Sequence, residues 1–146
     1  VFEDWQAIHA LLTTYAELID RGRFADAAAL FEGAIYRVER DDGSLSARYE
    51  GAEEVLGFFS ATIIHADGTP RTRHLVSNVA IELDQDAATS RCYVTVLQQT
   101  DVLPLQPIAS GRYVDRFRKE SGLWRFEERV VSGFLLGDRS QHVNWS

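Results

Sequence analysis

The sequence predicts an α+β fold in which a curved, mostly antiparallel sheet wraps around a long N-terminal helix and leaves a conical pocket. Three observations lead there. Apolar residues recur at three- and four-residue steps near the start, and the period changes to two after Pro70. The connections between the later strands are also too short for the dozen or more residues of a parallel crossover. Helices first and a long meander after is the α+β layout. At 146 residues the chain is expected to fold as one domain over residues 1–146, long enough to build a core without a disulfide or structural metal.

Taken in order, Trp5, Ile8, Leu12, Tyr15 and Ile19 fall on one stripe of a helix from about Glu3 to Arg21, and Gly22 ends it. An alanine-rich helix follows over Phe24 to Phe31, broken by Gly33. Ala34 to Glu39 reads as a strand, Asp41-Asp42-Gly43-Ser44 as a turn, and Tyr49-Glu50-Gly51 as the end of a returning strand. A third helix is predicted from about Ala52 to His65, stopped by Asp67-Gly68-Thr69-Pro70. Four long strands then cover Thr72–Leu83, Ala88–Val102, Ile108–Lys119 and Leu123–Leu136, all rich in β-branched and aromatic residues. Asp84-Gln85-Asp86 and Glu120-Ser121-Gly122 suit hairpins, and Leu103–Pro107 makes a longer connection.

Composition excludes several functions. Fifteen basic residues against twenty-two acidic ones give a net charge of -7, which disfavours nucleic acid and anionic membranes as partners. Cys92 is the only cysteine, and no His/Cys spacing suggests zinc, so neither an internal disulfide nor a metal or other cofactor is expected. No apolar run reaches the length of a spanning helix. Val-Phe-Glu-Asp-Trp at the start carries no secretory pattern, and a cytoplasmic protein is expected. Because that start is Val rather than Met, residues can precede it.

The residues that could carry chemistry converge on the predicted hollow. With Leu12 at the stripe centre, Tyr15 lies about 60° to one side and Asp20 about 80° to the other. An acid in the last turn of a helix opposes the helix dipole. Asp20 therefore reads either as a solvated helix-end acid paired with Arg21 or Arg23, or as a site acid that needs a donor from the sheet. His74 is the candidate donor; on a period-2 strand it shares a face with Val76 and Asn78. A carboxylate on one ring nitrogen would fix the tautomer and leave the other as a general base. The alternative is a strand-start histidine bonded to a loop. Tyr93, Thr95 and Gln99 share one face of the next strand, and Phe58, Phe59, Trp124 and Phe126 are core or pocket wall.

Three separated stretches carry a family resemblance. They are Tyr15-Ala-Glu-Leu-Ile-Asp20-Arg-Gly-Arg-Phe-Ala-Asp-Ala-Ala-Ala-Leu-Phe31, Thr72-Arg-His74-Leu-Val-Ser-Asn78, and Gly111-Arg-Tyr-Val-Asp115-Arg-Phe with Gly122-Leu-Trp124-Arg-Phe126. Together they resemble SnoaL-like proteins of the NTF2-like (cystatin-like, α+β cone) superfamily. Their spacing is most similar to scytalone dehydratase, bile-acid 7α-dehydratase and hexachlorocyclohexane dehydrochlorinase. The resemblance implies that His74 abstracts a proton, Asp20 orients and charge-balances it, and Tyr15 hydrogen-bonds the substrate oxygen. It departs at the strand Cys92-Tyr-Val-Thr-Val-Leu-Gln-Gln99, where the dehydratases carry a further polar or acidic residue and this chain has no His or Asp. Tyr93, Thr95 or Gln99 would have to substitute.

The resulting expectation is a cofactor-independent lyase (dehydratase) or isomerase acting on a hydrophobic cyclic, polyketide- or steroid-like substrate. Asn78, Tyr93, Thr95, Phe58, Phe59 and Trp124 would bind that substrate. The competing readings are a non-catalytic binding or assembly domain, with Tyr93, Tyr113 and Trp124 on an outer homodimer surface, and the small subunit of a ring-hydroxylating oxygenase. A dimer or trimer is expected in either case. Arg129 reads as a surface cross-strand ion pair or as a substrate-facing arginine, and Arg112, Arg116 and Arg118 as cross-strand pairs. His9 is about 16 Å along the helix from Asp20 and out of its reach. His65 reads as a helix-end cap, and His142 as part of the polar tail from Asp138 to Trp145 that docks on a neighbour or frays.

Overall fold

A computed structural model describes residues 1–144; Trp145, at the end of the predicted tail, lies outside the described residues. Helix α1 (Phe2–Asp20) buries Ile8, Leu12, Tyr15, Ala16 and Ile19. Trp5, assigned to that stripe by periodicity, is instead exposed and stacks between Phe2 and His9. The helix closes in a Schellman motif: Gly22 N–H donates to the Ile19 carbonyl at 2.9 Å and Arg23 N–H to the Leu18 carbonyl at 2.9 Å. Gly22 takes φ +74° to make this turn, the left-handed region a side chain disfavours.

Short α2 (Phe24–Ala29) leads into the hairpin of β1 (Ile35–Glu39) and β2 (Leu45–Glu50), followed by α3 (Gly51–Phe59). Helix α3 stops six residues before the predicted end at His65. Beyond it Thr62, Ile63 and Ile64 are β-branched, which helices disfavour, and the C-terminal segment offers them backbone partners instead. His65 is therefore no helix cap; its Nε2 lies 2.8 Å from the Gln141 carbonyl.

The four long strands are β3 (Thr72–Asp84), β4 (Ala87–Gln98), β5 (Gln106–Glu120) and β6 (Leu123–Leu136). Strand β4 ends at Gln98 rather than Val102 because the Thr100 hydroxyl accepts from the N–H groups of Val102 and Leu103, folding the chain into a turn. Ser121 and Gly122, both at positive φ, make the two-residue hairpin between β5 and β6. The sheet runs β2-β1-β6-β5-β4-β3. β3 through β6 pair antiparallel as expected, whereas β1 joins β6 in parallel, so the sheet is mixed.

Of the register shifts in the sheet, two redirect side chains that matter for the site and the core. One lies in β3 between Ser77 and Ala80; the other puts Glu127 into β6, so that Arg116 faces Glu128 while Phe117 faces Phe126. The core fills the concave side, where Phe31 stacks on Phe126 at 4.8 Å and meets Tyr15 edge-on at 5.8 Å.

Candidate active site

The Schellman close sets Asp20 as the last residue of α1, directly against the start of β3. Asp20 Oδ2 accepts the His74 backbone N–H at 2.8 Å, and Oδ1 accepts the Thr72 hydroxyl at 2.8 Å. Oδ1 also lies 2.6 Å from His74 Nδ1. Three donors replace the helix-end repulsion that makes an acid unfavourable there. Neither Arg21 nor Arg23 takes Asp20; Arg23 pairs with Asp26 instead. An ionised carboxylate only accepts, so the proton sits on His74 Nδ1 and Nε2 keeps its lone pair. That nitrogen makes no hydrogen bond among the described residues, and the ring lines a cavity of about 850 Å³.

The cavity is enclosed by α1, α3, the concave sheet face and the C-terminal segment, and its wall is mainly apolar. Phe58, Phe59, Ile19, Val94, Val96 and Val131 supply that surface. Tyr15, Tyr36, Tyr49 and Tyr113 add phenols to it. Burial pushes the phenols of Tyr15, Tyr36 and Tyr113 up, so all three stay protonated and able to donate. For Tyr15, the Arg129 charge and the Tyr36 hydroxyl pull the other way.

The sequence-predicted residues divide cleanly. Tyr15, His74, Phe58 and Phe59 line the cavity, with Asp20 behind the histidine on a separate polar groove. Asn78 does not: the β3 bulge places it at φ +54° and turns it to the exposed face. Tyr93 and Thr95 lie on the convex face, since Val94 and Val96 occupy the buried positions of β4; the Thr95 hydroxyl lies 3.3 Å from that of Ser110. Trp124 is buried at the far end of the sheet, where its Nε1 donates to Asp4 at 2.9 Å. Of the three residues assigned to an outer surface, only Tyr93 is there; Tyr113 and Trp124 are buried.

Arg129 departs furthest from expectation. It is neither on the surface nor a wall residue, but fully buried, with Nε 2.9 Å from Asp115 Oδ1 and Nη2 3.1 Å from Oδ2. Its guanidinium lies 3.7 Å from the Tyr113 ring centroid and 4.5 Å from that of Tyr15. Burial pushes the Asp115 carboxyl above its usual value against the pull of Arg129, while Asp115 holds Arg129 above its own usual value despite burial. A cation thus sits directly beneath two phenols of the cavity floor. Arg116 and Arg118 do form the expected surface pairs with Glu127.

His142, left to the tail, also lines the cavity. Burial first, then the electrostatic influence of His74 and Arg139, pulls its ring down to about 4. No group of three or more metal-ligating side chains occurs among the described residues. None of their helices is long and apolar enough to cross a membrane.

Comparison with known proteins agrees with this architecture. No curated protein matches the chain. Among solved structures, an NTF2-like protein with a cystatin-like fold from Novosphingobium aromaticivorans superposes with a TM-score of 0.75 at 22% identity, over 96% of this chain and 87% of the other. From the same organism, a protein provisionally designated the beta subunit of an aromatic-ring-hydroxylating dioxygenase gives 0.71 at 20%, over 94% of each chain. A third, provisionally designated a scytalone dehydratase, gives 0.69 at 20%, over 94% of this chain and 89% of the other. These likenesses establish an NTF2-like, cystatin-like fold. The SnoaL-like domain profile matches residues 1–130, and the chain belongs to the SnoaL-like domain family.

Proposed function

We propose that the protein is a cofactor-independent lyase, of the dehydratase kind, or an isomerase acting on a hydrophobic cyclic substrate. The observation that carries this reading is the 2.6 Å contact between Asp20 and His74 Nδ1, with the same ring lining an apolar cavity. In the proposed reaction His74 Nε2 takes a proton from the carbon next to a carbonyl, and Asp20 balances the imidazolium. The C–H electrons pass toward the carbonyl oxygen, which Tyr15 stabilises by donating its O–H, with the Arg129 charge beneath it. In an elimination the C–O bond to a β-hydroxyl then breaks and the His74 proton leaves with it as water. In an isomerisation His74 returns that proton to another carbon. The volume suits a two- to four-ring ligand, within the roughly 300–1,000 Å³ of small-molecule sites.

Exchange of α-protons in deuterated water tests both branches. With a panel of cyclic ketones followed by NMR, the wild type is expected to exchange at least about 100-fold faster than His74→Ala. Equal rates in the two proteins would remove the proposal.

A second reading rests on a different face. Leu75, Tyr93, Val114 and Leu135 are exposed on or near the convex side of the sheet, and one structural neighbour bears the designation of an oxygenase subunit. On that reading the domain assembles, as a homodimer or with a larger subunit in the cytoplasm, and the cavity only binds. A mass measurement in solution showing an exclusive monomer would count against it.

A further inference from the structure

Residues 131–144 lie beyond the stretch matched by the SnoaL-like profile, and they bring a second histidine to the cavity. After β6 the chain returns along the segment that follows α3 and is held there by its backbone. Ile63 N–H donates to the His142 carbonyl at 2.8 Å, and Asn144 N–H to the Ala61 carbonyl at 3.0 Å. Thr62 and Val143 form an antiparallel bridge between the two segments. One residue earlier, the Gln141 carbonyl accepts Gln98 Nε2 at 3.0 Å and lies 2.8 Å from His65 Nε2. The His142 main chain is therefore fixed, and its ring is presented to the cavity that His74 also lines.

That ring is held differently from His74. No carboxylate bonds it, and its Nδ1 is buried with no hydrogen-bond partner among the described residues. Its surroundings keep it uncharged near neutrality, burial first and the electrostatic influence of His74 and Arg139 next, with Asp20 opposing and His65 contributing least. Glu54 is the carboxylate that α3 adds to the same wall. A neutral imidazole offers one donor and one acceptor nitrogen and no net charge. Nδ1 is itself out of a ligand's reach, so the polar atom that a ligand in the hollow can pair with is Nε2 of the same ring.

We infer that His142 is a ligand-recognition residue, which hydrogen-bonds a hydroxyl or carbonyl oxygen at the C-terminal end of an otherwise apolar ring ligand. The ligand class follows: uncharged, largely apolar over its rings, and carrying oxygen within reach of His74 and of His142. The inference rests on reading the cavity as a ligand site but requires no turnover. It deepens the proposed function by adding a second polar anchor to the substrate.

Calorimetric titration with naphthalene and with 2,6-dihydroxynaphthalene tests it, using wild type, His142→Phe and His142→Gln. His142→Phe preserves size and the backbone contacts but removes both nitrogens, whereas His142→Gln keeps a donor and an acceptor. The dihydroxy probe is expected to bind His142→Phe about tenfold more weakly than wild type, as for one buried hydrogen bond, with naphthalene unchanged. His142→Gln is expected to recover part of the loss. Thermal unfolding of each variant shows whether it is folded. Equal affinity of the dihydroxy probe for wild type and His142→Phe would overturn the inference and leave the His74 chemistry standing. Binding of neither probe to wild type would overturn the apolar-ligand reading together with this one.

Discussion

Arg129 and Asp115 show how a single residue's environment can invert its apparent role. In the run Glu127-Glu128-Arg129 the arginine looks like one more surface charge. It is fully buried, like Asp115, because the β6 bulge absorbs Glu127 and advances the inward register by one residue. Phe126 faces in, then Arg129 and Val131, where strict alternation would have turned Glu128 inward. A buried ion pair is not in itself a large stabiliser, but stranding one partner is expensive. Asp115→Asn is expected to lower unfolding stability by about 3–5 kcal/mol, and Arg129→Met with Asp115→Leu to recover much of that. Urea denaturation of the single and double variants measures the difference. Losses that simply added would contradict the pairing. The same residue scale explains Asn78, which alternation groups with His74 until the β3 bulge separates them.

At the level of elements, the decisive feature is how α1 ends. The glycine that terminates it is legible in the sequence, and so is Asp20 two residues earlier. What the closure accomplishes is to hold that carboxylate over the first residues of β3, where Thr72 and His74 both donate to it. Gly22 is doubly constrained. It sits at φ +74°, and a Cβ there would come within 2.5 Å of the Gly68 carbonyl oxygen in the turn before β3. Gly22→Ala is expected to cost at least about 1–2 kcal/mol from the left-handed backbone alone, with the Gly68 contact adding to it. A fall in the thermal midpoint measures this. An unchanged midpoint would mean that the α1 closure and the 67–69 turn are not the rigid supports described here. Helix α3 makes the opposite point, since its early end reflects pairing with a segment some eighty residues away.

Across the whole molecule, the C-terminal segment couples cavity and stability through His142. Its ring titrates near 4 in the folded chain against 6.5 in an unperturbed one, chiefly because it is buried. A group that is neutral when folded and protonated when unfolded draws protons to the unfolded state. Its effect is absent above pH 6.5, grows as pH falls through the window, and is complete below about 4. Between pH 7 and pH 4.5 the wild type is therefore expected to lose about 2–3 kcal/mol more stability than His142→Phe. Urea midpoints at the two pH values test this, since contributions from the carboxylates cancel in the comparison. Equal losses would show that the His142 ring is not buried as described.

Much of this architecture was written locally. The helical stripe, the switch from period 3.6 to period 2, the hairpin turns and the Tyr15, Asp20 and His74 spacing are properties of neighbouring residues, which short-range sterics and alternation determine. The parallel docking of β1 on β6, the direction in which Asn78, Tyr93 and Arg129 point, and the arrival of His142 at the cavity depend on partners distant in the chain. Bulge parity and long-range strand pairing leave no periodic signature, so those features took shape only when the sheet closed over the helix.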